Sequence, residues 1–154
     1  MISNVRDAFA QIVGEIEECL GQVRAESVDQ ALYQISKARR VFLAGAGRSG
    51  MGVRGFAMRL MHLGKEAHLV GETTTPPIST EDCLIIGSGS GATPSLLAAA
   101  GKARQIGARI VLFTIDPNSP LAQLADNIVV IPAPSQGAAS HLPRSIHPAD
   151  GLSF

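Results

Sequence analysis

The sequence predicts an α/β fold, a three-layer α/β/α sandwich around a five-stranded parallel sheet, preceded by N-terminal helices. Beyond Arg40, five apolar runs of strand length alternate with helical stretches, as β-α-β units require. Each run is continuously apolar rather than alternating, which is typical of parallel strands covered on both faces. Glycine or proline follows the runs, so each strand is expected to end in a turn.

The elements of this core can be placed from their periodicity. Strands are predicted at residues 41–44, 67–70, 83–87, 109–115 and 127–131. Helices are predicted between them at residues 50–64, 94–106 and 119–125. The link between the second and third strands contains TTTPPIST, which is too rich in proline and β-branched residues for a helix, so a loop is expected there.

Two amphipathic helices are predicted before the sheet. The first carries an apolar stripe at three- and four-residue steps, formed by Val5, Phe9, Ile12, Val13, Ile16, Leu20 and Val23. The second is expected to open with Ser27 and Gln30 in capping-box spacing. Because the long first stripe would bury poorly on a single subunit, it predicts a helical interface in a homo-oligomer.

Length and composition indicate one domain. The 154 residues are 45% hydrophobic, enough for a proper core. We divide the chain into N-terminal helices (1–38), an α/β core (39–131) and an irregular, proline-containing C-terminal segment (132–154). Thirteen basic residues balance thirteen acidic ones, and no apolar run reaches membrane-spanning length, so neither nucleic acid nor a membrane is expected as a partner. Cys19 and Cys83 are predicted to be core residues in a reducing cytoplasm.

A first glycine loop follows the first strand, where VFLAGAGRSG places Gly45, Gly47 and Gly50 in G-x-G-x-x-G spacing. A helix beginning near Ser49 would direct free amides and its positive dipole end toward an anion. One alternative is a dinucleotide site, with Glu72 placed to take the ribose hydroxyls. Another is a tight strand-to-helix turn without a ligand.

A second loop, IIGSGSGATPS, follows the third strand and favours a ligand-binding role for both loops over a simple turn. Thr93 and Pro94 are predicted as N-cap and first helical residue, which places Ser88 and Ser90 near a helix N-terminus. Gly89 and Gly91 would free backbone amides for an anion. The alternative is that Thr93 only caps its helix and the serines are merely solvated.

The two loops together favour a compact phosphate monoester. A triphosphate loop would need lysine after its last glycine, but Ala92 follows Gly91. The first loop adds the amide of Gly47, the hydroxyl of Ser49 and the charge of Arg48, which is the expected counter-ion.

The order AGAGRSG, FAMRLMHLGKEAHLVGETTTPP and GSGSGATPS resembles the sugar isomerase (SIS) domain family, and within it the 6-phospho-3-hexuloisomerases. The resemblance runs from the first helix to about Ile131. It implies a five-stranded parallel sheet, no metal and no cofactor, and a homotetramer built as a dimer of dimers. It also implies phosphate binding by four hydroxyl residues, namely Ser49, Ser88, Ser90 and Thr93.

The resemblance further implies interconversion of a 3-hexulose 6-phosphate and fructose 6-phosphate through an enediol, so a phosphorylated ketohexose is the expected substrate. That reaction needs a general base. His62 in RLMHLG is one candidate, although it could simply cap its helix or lie in an interface. Glu72 is the other; it could act as base, bind the sugar or tie down its loop, and loop support is favoured.

The chain departs from the family pattern near its end. The segment Ser145-Ile146-His147-Pro148 is followed by Ala149-Asp150, where the family continues to a glutamate considered the base and then a closing helix. Asp150 is a possible substitute, and weaker assembly is expected without that helix. His141 and His147 are interpreted as tail residues, not metal ligands. Two other functions stay open: a different aldose-ketose phosphate isomerase, and a sugar-phosphate sensor without catalysis.

Overall fold

The computed structural model describes residues 4–133 and contains a five-stranded, wholly parallel sheet. The strands are β1 (Val41–Gly45), β2 (Ala67–Leu69), β3 (Cys83–Gly87), β4 (Arg109–Thr114) and β5 (Asn127–Val130). The helices are α1 (Val5–Gly21), α2 (Ala25–Lys37), α3 (Gly47–His62) and α4 (Pro94–Ile106). The predicted fold class is confirmed. The expectations for Asp150, His141 and His147 concern residues outside this described range.

Both faces of the sheet are covered, which explains the continuous apolar runs. Side chains alternate along each strand, so Val41 and Leu43 of β1 face α2 and α3, while Phe42 and Ala44 face α4. The hydrophobic cluster on the side of Val41 and Leu43 is the first of two, and helices α2 and α3 contribute four residues to it: Ala31, Ile35, Ala57 and Leu60. Helix α4 contributes Leu96, Ala100 and Ala103 to the second. The three layers of the sandwich are therefore present.

The strand order β2-β1-β3-β4-β5 reverses direction between β1 and β3. From β1 the chain crosses through α3 to β2 on one side, and from β3 it crosses through α4 to β4 on the other. The two crossover helices consequently lie on opposite faces of the sheet. Open parallel sheets bind ligands at such a reversal, outside the carboxyl ends of the strands.

Three predicted boundaries were wrong for identifiable reasons. Helix α2 begins at Ala25, and the hydroxyl of Ser27 donates to the Arg24 carbonyl instead of capping the helix. Helix α3 begins at Gly47, because Gly45 and Gly50 let the chain turn directly from strand to helix. The helix expected at 119–125 is only a 3₁₀ turn, Ala122–Leu124. Residues 71–82 contain no helix or strand, as predicted.

Helix α1 contributes no buried side chain, and its apolar stripe is exposed, with Phe9 at 63% and Leu20 at 61%. Asn4 caps this helix by accepting a hydrogen bond from the Asp7 amide. No helix among the described residues is both long enough and apolar enough to cross a membrane.

The two cysteines lie in different surroundings. Both are free thiols, but Cys19 on α1 is only half-buried, so its predicted place in the core was wrong. Cys83 is fully buried at the start of β3. Burial, and to a smaller extent the negative charge of Asp126, raises the pKa of the Cys83 thiol to about 12. This thiol therefore stays protonated at neutral pH.

Candidate functional site

The first loop, residues 45–50, brings the end of β1 against the first turn of α3. A Cβ atom on Gly45 would lie 2.9 Å from the Cα of Gly50, so neither position has room for a side chain. Gly47 has φ +54°, a left-handed conformation that favours glycine. The N-cap residue, Ala46, has no side chain that could accept a hydrogen bond. The Gly50 amide bonds to the Ala46 carbonyl, but the amides of residues 47–49 have no acceptor in the range 4–133 and are free for a ligand.

Two side chains of the first loop are also without a partner. The side chains of Arg48 and Ser49 are exposed and make no hydrogen bond or ion pair with any residue in the range 4–133. Both lie in the first turn of α3, where the helix dipole favours negative charge. The first loop therefore presents a positive charge, a hydroxyl and free amides together.

The second loop, residues 87–93, is anchored at its base and open at its tip. The Ser88 side chain is buried, and its Oγ accepts a 3.2 Å hydrogen bond from the Gly91 amide. Ser90 is exposed at the tip, and its Oγ accepts a long 3.4 Å bond from the Ala92 amide. Thr93 is the N-cap residue of α4 and Pro94 follows at N1, as predicted, but the Thr93 hydroxyl makes no capping bond. That hydroxyl is free for a ligand.

The two loops line one open cavity of about 680 Å³ at the reversal point between β1 and β3. Its lining includes all four predicted phosphate-binding residues, together with Gly47, Arg48 and Gly89. Arg48 is the one charged side chain among the described lining residues, which also include the apolar Leu96 and Ile115. The arrangement can bind a small anion through hydroxyls, amides and one guanidinium.

Gly91, predicted to bind substrate, does not line this cavity. It is buried, has φ +60°, and lies directly against Ser119 of the segment that follows β4. Its role in the geometry is to let the second loop turn over that segment.

The two predicted catalytic residues lie away from the cavity lining. Glu72 follows β2 and pairs with Arg54 of α3, with 2.7 Å between Arg54 Nη1 and Glu72 Oε1. His62 is the exposed last residue of α3, about 22 Å along the helix axis from Gly47 at a rise of 1.5 Å per residue. No carboxylate or imidazole lines the cavity within residues 4–133.

Two features of this region were missed from the sequence. One is the ion pair between Arg54 and Glu72, since an arginine on a helix gives no sign of a partner 18 residues away. The other is the end of β4 and the residue after it, where Thr114 and Ile115 contact the second loop. A usable signal for it existed, because the carboxyl ends of neighbouring parallel strands meet at one edge of the sheet.

Comparison with known proteins assigns the class to which this fold and cavity belong. The SIS domain family model matches residues 34–143, and the chain belongs to this family.

Within the family, the chain is similar to proteins named 3-hexulose-6-phosphate isomerase. It is 47% identical to the one from Mycobacterium gastri over 142 residues, covering 92% of this chain and 71% of the relative. The Bacillus subtilis protein of that name is 39% identical over 143 residues, covering 93% of this chain and 77% of the relative.

Two solved structures extend the comparison. A hypothetical protein from Methanococcus jannaschii, whose structure infers a molecular function of 3-hexulose-6-phosphate isomerase, superimposes with a TM-score of 0.69 at 39% identity. The match covers 77% of this chain and 64% of that one, so the chain spans a little under two thirds of its length. The Vibrio vulnificus NanR protein complexed with ManNAc-6P gives a TM-score of 0.74 at 25% identity, covering 84% of this chain and 51% of that one.

Proposed function

We propose that this protein is a 3-hexulose-6-phosphate isomerase that interconverts 3-hexulose 6-phosphate and fructose 6-phosphate. The observation that carries the proposal is the cavity in which the two loops present hydroxyls and amides beside Arg48. The similarity to relatives of that name supports the choice of substrate. The proposed reaction would follow aldol capture of formaldehyde by a pentulose phosphate, in the cytoplasm.

The reaction moves a carbonyl group from C3 to C2 of the sugar. A base removes the proton from C2 while O3 gains a proton, which gives an enediol between C2 and C3. O2 then loses its proton while C3 gains one. The phosphate does not react, so its contacts bind substrate and transition state alike. We assign this anchoring to Ser49, Ser88, Ser90 and Thr93, with Arg48 and the amides of the glycine positions in support.

The proton-transfer group has to come from outside the described cavity lining. We propose that Glu72 supports its loop, because its carboxylate is already engaged by Arg54. His62, at the far end of α3, could act only in the site of a neighbouring subunit. We propose that the chain is one domain with N-terminal helices, an α/β core and a C-terminal segment. The general base would then come from a neighbouring subunit or from the C-terminal segment.

Assembly as a homotetramer, a dimer of dimers, is part of the same proposal. The exposed stripe of α1 supports it, since a monomer would leave Phe9, Val13 and Ile16 in water.

Replacing Ile16 by glutamate is expected to shift the protein to a smaller species, because a charge would have to be buried in the subunit interface. Light scattering coupled to size-exclusion chromatography measures this mass. Glu17→Gln, on the exposed neighbouring position of α1, should leave the mass unchanged. An Ile16→Glu protein of unaltered mass would contradict an interface through α1.

The direct test of the proposed function is turnover of 3-hexulose 6-phosphate in a coupled assay, together with calorimetric binding of fructose 6-phosphate. Turnover with binding supports the isomerase. Binding without turnover favours the second candidate, a non-catalytic sugar-phosphate sensor. That candidate is favoured by the similarity to the NanR protein bound to ManNAc-6P and by the absence of a base among the described lining residues. Binding of NAD without binding of sugar phosphate would contradict both.

Removing the hydroxyl of Ser90 should weaken sugar-phosphate binding by about 1 to 3 kcal/mol, since the anion loses one donor. We expect Ser90→Ala to raise KM and the Kd for fructose 6-phosphate by the corresponding factor, about 5- to 150-fold, while kcat stays near the wild-type value. Ser36→Ala is the matched control, because the Ser36 hydroxyl only donates to the Tyr33 carbonyl in α2. An unchanged Kd in Ser90→Ala would remove this serine from the site.

A further inference from the structure

Residues 114–121, which comprise the last residue of β4 and the segment after it, are hydrogen-bonded to the second loop, and we call this stretch the exit loop. The Ile115 amide donates to the Gly89 carbonyl at 3.2 Å. The Leu121 amide donates to the Gly91 carbonyl at 2.9 Å. The Thr114 hydroxyl is a third donor, again to the Gly89 carbonyl, at 3.2 Å. The carbonyls of Gly89 and Gly91, on either side of Ser90, are therefore both bonded to the exit loop.

These bonds fix the orientation of backbone amides in the second loop. In a trans peptide the carbonyl and the following N–H point in opposite directions, and the described chain contains no cis peptide. When the Gly89 carbonyl points to the exit loop, the Ser90 N–H must point away from it. That amide has no acceptor within the protein, among residues 4–133, and both Gly89 and Ser90 line the cavity.

Thr114 is placed to connect the two loops through one atom. Its side chain is 2% exposed, and its Oγ1 accepts a 3.3 Å hydrogen bond from the Asp116 amide while donating to Gly89. The alternative acceptor, the Asp116 carbonyl, is farther away at 3.5 Å. A hydroxyl can accept and donate at once, whereas a methyl group of the same size can do neither. Valine in this position would remove the acceptor of the Asp116 amide and release one of the two bonds on Gly89.

We propose that Thr114 is a positioning residue for the anion site: its buried hydroxyl holds the Gly89–Ser90 peptide so that the Ser90 amide faces the bound phosphate ester. The inference rests on the proposed function for the identity of the ligand. It adds a residue outside both loops, on the neighbouring strand, that governs affinity without touching the ligand. If the peptide turned over, the Gly89 carbonyl would meet the phosphate in place of an N–H donor.

The test compares Thr114→Val with Thr114→Ser in the full chain. Thr114→Val should raise the calorimetric Kd for fructose 6-phosphate about tenfold, since the ester loses one hydrogen bond. KM should rise by the same factor with kcat nearly unchanged, because the phosphate is held equally in the ground and transition states. Thr114→Ser retains the hydroxyl and should restore Kd to within about twofold of wild type. Thr80→Val is the matched control, at an exposed threonine before β3 on the opposite edge of the sheet.

Unfolding in urea, followed by circular dichroism, separates positioning from folding. A Thr114→Val protein that remains folded at assay temperature and has wild-type Kd would overturn the proposal. So would equal losses of affinity in Thr114→Val and Thr114→Ser, since keeping the hydroxyl would then not preserve binding. If the wild-type chain binds no sugar phosphate, both this inference and the proposed function are wrong. If wild type binds and Thr114→Val binds equally well, only the role of Thr114 is wrong.

Discussion

Replacing Gly91 by alanine is expected to abolish tight sugar-phosphate binding, with Kd raised at least about 100-fold through loss of two or more donors. The residue has φ +60°, which costs a residue with a Cβ atom about 1 to 2 kcal/mol. Its Cβ atom would also overlap the Oγ and Cβ atoms of Ser119, whose side chain is 2% exposed and has no room to move. The second loop must then lift from the exit loop. Calorimetry with fructose 6-phosphate measures the loss of binding.

Two further variants identify the cause. Gly101→Ala lies in the interior of α4, where a Cβ atom meets nothing within 4 Å, and should stabilise the protein by about 0.5 to 1 kcal/mol. Combining Gly91→Ala with Ser119→Gly removes the overlap but leaves the left-handed φ, so part of the affinity should return. Wild-type binding by Gly91→Ala would show that the second loop does not hold the ester.

Replacing Asp82 by alanine is expected to lower the free energy of unfolding by about 3 kcal/mol, a large share of the roughly 5 to 15 kcal/mol typical of a domain. The Asp82 carboxylate is buried at the start of β3 and accepts two hydrogen bonds from Arg40, at 3.1 and 2.7 Å. It accepts two more from the amide and hydroxyl of Ser79, at 2.7 and 2.8 Å. Alanine leaves these donors unpaired. Urea unfolding of both proteins measures the difference.

The pH dependence of stability gives an independent check on the same carboxylate. Burial alone would raise the pKa of Asp82, but the hydrogen bonds from Arg40 and Ser79 outweigh it and hold the pKa below its ordinary value of 3.8. The folded state thus binds this proton less readily than the unfolded state. The stabilisation is fully present above pH 3.8 and is lost as the pH falls through the folded value.

The difference in stability between wild type and Asp82→Ala should therefore shrink in acid. A difference that stays constant down to pH 2 would contradict a charged Asp82. Glu81→Gln, in the adjacent exposed pair with Arg39, should change stability by less than about 1 kcal/mol at neutral pH.

The sheet could be predicted because its central strands, β1, β3 and β4, are buried on both faces, which leaves contiguous apolar runs in the sequence. Helix boundaries were less predictable where short-range chemistry allowed two outcomes. Ser27 fits an N-cap, yet its hydroxyl bonds to the Arg24 carbonyl within a helix that starts earlier. Residues 119–125 show helical spacing, but Pro120 and the bonds between the exit loop and the second loop leave room for only one 3₁₀ turn.

Some parts of the candidate site could likewise be predicted from the sequence, and others could not. The hydroxyls of the two loops could be found because glycines and serines follow strands of one parallel sheet, and the structure brings them to one cavity. Their roles in binding stay predictions, as do the catalytic roles of His62 and Glu72. The contacts that shape the loops, such as Gly91 against Ser119, join residues far apart in sequence, and neither residue alone indicates its partner.

The protonated, enclosed thiol of Cys83 provides a built-in probe of sheet opening. The thiolate is the form of cysteine that attacks alkylating reagents, so at neutral pH this atom should react only in molecules whose β3 has separated from its neighbours. With Cys19 replaced by serine, the rate of modification would measure how often the sheet opens under native conditions. Slower labelling in the presence of fructose 6-phosphate would then report ligand stabilisation of the whole sheet without any denaturant.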